Sequence, residues 1–294
     1  HEKMIRAAHQ LADERIAEPI LLGNPETIRT KAAEVHIDIG AIAVVDPADA
    51  DLRTRCAERI FERRNRKGVT RKGAFDLLAN ADYLAAAMLD LGEADAVVTG
   101  LQRNYADALR PLLEIIKALP DCRIAAGVYL IATRHDVLFF ADAAVNIDPD
   151  PDTLANVAIR TARLARDFDV TPRIAMISFS DFGSVRHPKS DKVRHAVELV
   201  RMREPDLIVD GEMSVETALS VASLVETYPF NRLQDRANVL VFPSLSAGTV
   251  ACHLMRKLAN AESIGPILVG MRRAANVVMR NAEVQDIVNL AAIA

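Results

Sequence analysis

The feature that most constrains the fold of this chain is an alternation of short β-branched runs with stretches of helical periodicity. Residues 20–22, 41–45, 96–99, 123–126, 174–178, 207–209, 238–242 and 266–269 are such runs, each bounded by turn or charge signals. Most are followed by apolar residues at helical spacing, as in 52–64 (Leu52, Cys56, Ile60, Phe61) and 193–202 (Val193, Val197, Leu199, Val200). Consecutive parallel strands need a crossover long enough to hold a helix, so the alternation implies βαβ units and mostly parallel sheets covered by helices. Half of the residues are hydrophobic but only 4% are aromatic, with no Trp. Alanine and branched aliphatics must therefore build the interior, which suits packed helices on parallel strands.

Size and charge set broad limits. A chain of 294 residues accommodates one large domain or two moderate ones. A formal net charge of −4 argues against nucleic acid as the main partner. Cys56, Cys122 and Cys252 are far apart and odd in number, with neither a disulfide framework nor a zinc spacing, so a cytoplasmic location is expected. The seven His lack the spacing of a metal site, and no bound metal is expected in this segment. No apolar run approaches the ~20 residues that span a bilayer. The chain opens at His1 with neither a signal-peptide pattern nor an initiating Met, which suggests a piece of something longer.

Several local patterns point to ligand chemistry. The run 239–242 meets Pro243 and a small polar loop (244–249), and a helix opens beside Gly248. Such loops expose backbone N–H groups at a helix N-terminus, where an anion can sit. The Ser-rich loop from Ser178 to Ser184 follows another strand, and its hydroxyls and N–H groups suit phosphate or pantetheine oxygens as well as plain capping. It is not a nucleophile elbow, because GxSxG is absent; GxGxxG and P-loop patterns are absent too. The stretch 148–152 (Asp-Pro-Asp-Pro-Asp) reads either as a helix start with Asp152 as N-cap or as a domain crossing. Arg63, Arg64, Arg66, Lys67, Arg71 and Lys72 read as a solvated helix end, with a phosphate contact as the alternative.

Six segments, in chain order, resemble one family. They are EPILLGNPETIRTKA (18–32), RPLLEIIKALP (110–120), LFFADAAVNIDPDPDTLANVA (138–158), PDLIVDGEMSVETAL (205–219), ANVLVFPSLSAGT (237–249) and ESIGPILVGM (262–271). Together they resemble the phosphate acetyl- and butyryltransferases, and among these the version fused to the C-terminus of bacterial NADP-dependent malic enzymes. The resemblance implies two α/β subdomains with a ligand cleft between them. It places a discontinuous first subdomain at 1–149 plus 272–294 and a second at 150–271, the latter forming a homodimer through a helix face such as Ala218, Val221, Ala222 and Val225. It also implies a mechanism in which the coenzyme A thiol attacks acetyl phosphate directly. An Asp takes the thiol proton while Ser and Arg hold the acyl phosphate.

Arg280 and Asp286 stand where that mechanism needs its Arg and Asp, but Met279 stands in place of the Ser and Asn281 in place of a Gly. Gln102, Arg103, Asn104 and Tyr105 replace small hydroxyl residues ahead of the Arg110-Pro111 pair, and Ser244 and Ser246 replace Asp and Asn. Met has no hydroxyl to donate. The resulting expectation is a non-catalytic regulatory and oligomerisation domain that binds acetyl-CoA as an allosteric effector. Its ligand residues would be Arg280, Asp286, Ser178, Ser180, Gly183, Ser184, Arg134, Arg110, Gly248 and Thr249. NADP and a divalent metal would then serve malate decarboxylation in a malic enzyme module N-terminal to His1. The alternative is a working acyltransferase that moves acyl groups between acyl phosphate and coenzyme A.

Overall fold

A computed structural model describes residues 1–120, 124–133 and 136–294. The chain forms two compact units, residues 1–118 with 271–294, and residues 119–270. The first unit opens with α1 (Glu2–Asp13), β1 (Ile20–Leu22), α2 (Pro25–Glu34), β2 (Ala43–Val45) and α3 (Ala50–Arg64). It continues through α4 (Arg71–Leu77), α5 (Ala81–Leu91), β3 (Ala96–Gly100) and α6 (Tyr105–Ile115). The second unit contains β4 (Ala126–Ala132), β5 (Val137–Ala141), α7 (Pro151–Asp167), β6 (Arg173–Ile177), α8 (Pro188–Arg203) and β7 (Ile208–Met213). Then follow α9 (Val215–Leu219), β8 (Val239–Val241), α10 (Leu245–Leu258) and β9 (Glu262–Val269). The chain returns to the first unit with β10 (Ala274–Val278) and α11 (Val284–Ile293).

In the first unit, β1 pairs with β2 and β3 with β10, both parallel. The helices supply most of its core: Cys56 and Ile60 of α3, Leu84 and Leu89 of α5 and Leu112 and Ile115 of α6 are fully buried. Each such aliphatic side chain contributes roughly 1.5–3 kcal/mol. The second unit is built on a six-stranded sheet of order β7-β6-β8-β5-β4-β9. Its β7-β6-β8-β5 part is parallel, and β4 runs antiparallel to both neighbours. Ile174, Met176, Val239, Leu240 and Phe139 are fully buried along these strands, and α7 adds Leu154, Ala158 and Ala162. The mixed α/β class with mostly parallel sheets is the one the alternating sequence implies.

The details differ from the sequence expectations in identifiable ways. The crossing into the second unit falls at 118/119 and not at 149/150. β4 and β5 pair with β9 and β8, which fixes them in the second sheet. The stretch 148–152 therefore lies within the second unit and starts α7. Its N-cap is Asp150 and not Asp152, with the Asp150 carboxylate accepting from Thr153 N at 2.7 Å. β5 and β10 carry no marker that separates them from helix in the sequence, and they emerge only through pairing. The basic run is solvated only in part: Arg66 and Lys67 are exposed, but at the end of α3 Arg63 grips the Asp90 carboxylate through two bonds of 2.7 and 2.8 Å and Arg64 pairs with Glu114 at 3.1 Å. Residue 218, expected on an exposed helix face, is fully buried, while Val221 and Val225 are exposed. Cys122 and part of the 123–126 run lie outside the described residues. Among the described residues no helix is long and apolar enough to cross a membrane.

Candidate functional site

Parallel pairing aligns Val278 of β10 with Gly100 of β3, so both strands deliver their chains from the same end of the ladder. Ligands of open α/β sheets gather outside such carboxyl ends. Gly100 is required there: its φ is +119°, and a Cβ would lie 2.2 Å from the Val278 carbonyl oxygen. After it, Leu101 turns inward and is buried, leaving Gln102, Arg103 and Asn104 exposed. From β10, the turn 279–282 carries Arg280, closed by Ala282 N donating to Met279 O at 3.0 Å.

These segments, with α5 and α6, border an open cavity of about 350 Å³. Asn80, Tyr83, Gln102, Arg103, Asn104, Asp107, Arg110, Pro111 and Arg280 line it. Arg280 makes no hydrogen bond or ion pair among the described residues. Arg110 approaches only Asp107, at 3.9 Å, and Arg103 places its Nε 3.4 Å from Asp82. Asp82 is itself held by Thr99, whose hydroxyl donates at 2.5 Å. Tyr83 turns its hydroxyl away to donate to Glu114 at 2.6 Å. Burial first, and then the Glu114 bond and charge, push the Tyr83 pKa up to about 12, so it stays a neutral phenol. Among the described residues, therefore, Arg280 faces this space without a protein acceptor, and Arg103 and Arg110 are only loosely held.

Asp286 does not line the cavity. It sits in the first turn of α11, where its Oδ2 accepts from Glu283 N at 2.7 Å. Met279 is half-buried and is also absent from the cavity wall.

The serine loop of the second unit is organised around a residue that the sequence reading missed. Glu212 is fully buried. Its Oε1 accepts from the Ser180 hydroxyl at 3.0 Å, from Gly183 N at 2.8 Å and from Arg194 at 3.0 Å, and its Oε2 accepts from Arg194 Nε at 3.1 Å. Burial, the largest influence, would raise its pKa. The Arg194 bonds, backbone N–H groups and Ser180 together outweigh it and hold the carboxyl below its ordinary range. Ser178 Oγ lies 3.4 Å from Ser180 N, and Ser184 Oγ accepts from Asp181 N at 3.0 Å. The loop does bind an anion, and that anion is the protein's own Glu212.

Gly248 lies inside α10, whose N-cap is Ser244. A Cβ at Gly248 would meet the Asp142 carbonyl oxygen at 2.4 Å, so the glycine lets helix and chain approach closely. Thr249 donates to Ala143 O at 3.3 Å. Both serve packing in this structure, not an open anion cradle. Arg134 lies outside the described residues. Of the sequence-predicted residues, then, Arg110 and Arg280 share the cavity of the first unit. Ser178, Ser180, Gly183 and Ser184 share one loop in the second, and Gly248 and Thr249 lie together beside Asp142 and Ala143. Among the described residues no group of three His, Cys, Asp or Glu side chains could hold a metal ion.

The family model for phosphate acetyl/butaryl transferase matches residues 1–294, and the chain belongs to that family. The phosphate acetyltransferase of Bacillus subtilis is 34% identical over 292 residues, 99% of this chain and 90% of that protein. The phosphate acetyltransferase of Clostridium acetobutylicum is 36% identical over 295 residues, 98% of this chain and 88% of that protein. Among solved structures, a phosphotransacetylase from Streptococcus pyogenes superposes with a TM-score of 0.94 at 34% identity, covering 100% of this chain and 89% of that one. One from Staphylococcus aureus gives 0.91 at 32%, covering 99% and 89%.

These matches correct the expectation of a malic enzyme regulatory domain. Whole-chain relatives are phosphate acetyltransferases, and this chain spans nine-tenths of the Bacillus protein. The expected malic enzyme module, NADP, divalent metal and effector role have no support in them. The six segments carry the fold, which both readings have in common, so they could not discriminate between the two.

Proposed function

We propose that this protein transfers a small acyl group between an acyl phosphate and coenzyme A. Whole-chain similarity to phosphate acetyltransferases carries this reading, and the guanidiniums of Arg280, without a partner among the described residues, and of Arg110, loosely paired with Asp107, fit it in one cavity. In the forward direction the coenzyme A sulfur attacks the acyl carbonyl carbon. The S–C bond forms, the C–O bond to phosphate breaks, and phosphate leaves with the electron pair. Arg110 and Arg280 neutralise charge on the phosphoryl oxygens as it develops, the contribution expected of pre-organised donors. Met279 donates nothing to this step, so in this reading the guanidiniums replace the hydroxyl that the resemblance implied.

Asp286 does not line the cavity but opens the helix that follows Arg280, and in this reading it takes the thiol proton from outside the cavity wall. Its Oδ2 is fixed by the Glu283 N–H, while its Oδ1 has no hydrogen-bond partner among the described residues and is the atom that receives the proton. A cytoplasmic location and a homodimer through the second unit, with Val221 and Val225 on the buried face, complete the proposal. The test is formation of acetyl-CoA from acetyl phosphate and coenzyme A, followed by thioester absorbance. Steady turnover is expected, and a rate no faster than the enzyme-free mixture would overturn the assignment. A monomer by light scattering would remove the dimer from it.

A further inference from the structure

The cavity of the first unit is a poor receptor for an alkyl chain. Only Pro111 and the ring of Tyr83 are apolar in its wall; the other lining residues bring amides, a carboxylate or guanidiniums. Methylenes seated there would strip water from those donors and offer no acceptor in return. The donor count also exceeds what one acyl phosphate needs. Each guanidinium carries five N–H groups, and a fork of two suffices for one pair of phosphate oxygens. Arg110 and Arg280, the two that the acyl-transfer reading assigns to phosphate, leave Arg103 over.

Arg103 is oriented for a second anion. Its Nε edge faces Asp82 at 3.4 Å, and Asp82 is nearly buried and anchored in turn by Thr99 at 2.5 Å. The two terminal nitrogens of Arg103 make no hydrogen bond among the described residues, so its planar fork is held at one edge and open at the other. The cavity, of about 350 Å³, has room for a phosphate and a short chain beyond it. A carboxylate is the planar two-oxygen group that such a fork matches best.

Resting on the acyl-transfer reading above, we infer that the preferred acyl group ends in a carboxylate, as in a thioester or acyl phosphate of a short dicarboxylic acid. Arg103 is the specificity-determining residue that receives it, and Asp82 is its positioning residue.

The experiment uses malonyl-, succinyl-, acetyl- and butyryl-CoA with inorganic phosphate, measuring released thiol for kcat/KM and titration calorimetry for Kd. Both are run on the parent protein, Arg103→Gln and Arg103→Lys. The parent should favour a carboxylate-ended acyl-CoA over butyryl-CoA by tenfold or more. Arg103→Gln should abolish that preference, and Arg103→Lys should restore part of it, as a point charge without the fork. A parent that takes butyryl-CoA as well as succinyl- and malonyl-CoA overturns the inference and leaves acyl transfer standing. Equal losses for every acyl-CoA in Arg103→Gln also overturn it, because they would place Arg103 on the phosphates of coenzyme A. If no acyl-CoA turns over, the acyl-transfer reading fails, and the Kd ratios alone then decide the carboxylate preference.

Discussion

The arginine cavity of the first unit and the serine loop of the second contain similar chemistry and differ in who uses it. In the loop, the Ser180 hydroxyl, the Gly183 N–H and the Arg194 fork all end on the buried Glu212 carboxylate. In the cavity, among the described residues, Arg280 has no protein acceptor, Arg110 a loose one at 3.9 Å, and Arg103 its Nε alone engaged. Donors closed on an internal carboxylate rigidify a fold, whereas donors left open toward a cavity await a ligand. Sequence motifs count donors but do not record whether those donors are already occupied.

The comparison breaks most sharply at Asp286 and Arg280. Asp286→Asn keeps an oxygen that can accept from Glu283 N but cannot take a proton, so kcat should fall by about 10²–10⁴ with the melting temperature nearly unchanged. Activity within threefold of the parent would confine Asp286 to capping α11. Next in size, Arg280→Ala should lower kcat/KM for acetyl phosphate by roughly 10²–10³, the usual cost of one pre-organised donor. Steady-state kinetics with varied acetyl phosphate check this, and an unchanged kcat/KM would mean that the open guanidinium has no substrate.

In the serine loop the expected loss is of folding instead. Glu212→Gln retains shape but loses the charge that Arg194, Gly183 and Ser180 converge on. Stability should fall by about 1.5–3 kcal/mol, read from urea unfolding. The kcat of the folded variant should stay close to that of the parent. A collapse of kcat with unchanged stability would move the loop into the functional site.

Much of this was legible in the sequence, for physical reasons that particular residues make plain. Strand β1 and helices α3 and α8 follow from local apolar periodicity, and the family from six segments spread along the chain. Arg280 and Arg110 were singled out by the family resemblance, and the structure places both on one cavity wall. Glu212 was missed because a Glu in the run PDLIVDGEM carries no sign of burial until Arg194, eighteen residues earlier, folds onto it. Gly248 looked like an anion loop because close backbone approach and ligand cradling both call for glycine, and only the Asp142 carbonyl at 2.4 Å from its missing Cβ separates them. The boundary at 118/119 was hidden because it depends on β4 choosing β9, a partner more than a hundred residues away.

The smallest expected effect is a pH dependence that only the closed region should show. The folded-state pKa of Glu212 is held below its ordinary value, where the unfolded chain would titrate near about 4.3. A group with a depressed folded pKa binds fewer protons when folded than when unfolded in the intervening range. Its stabilisation is therefore complete above the unfolded value and is lost progressively as the pH falls toward and through the folded one. The stability difference between the parent and Glu212→Gln should thus be flat from neutral pH to about pH 5 and shrink steadily below that. Arg280→Gln removes a guanidinium with no carboxylate partner, so its difference from the parent should stay within about 0.5 kcal/mol at every pH. Urea titrations of the three proteins across this range decide the matter. A Glu212→Gln difference as large in acid as at neutrality would mean that the carboxylate is not held charged by Arg194 and its neighbours.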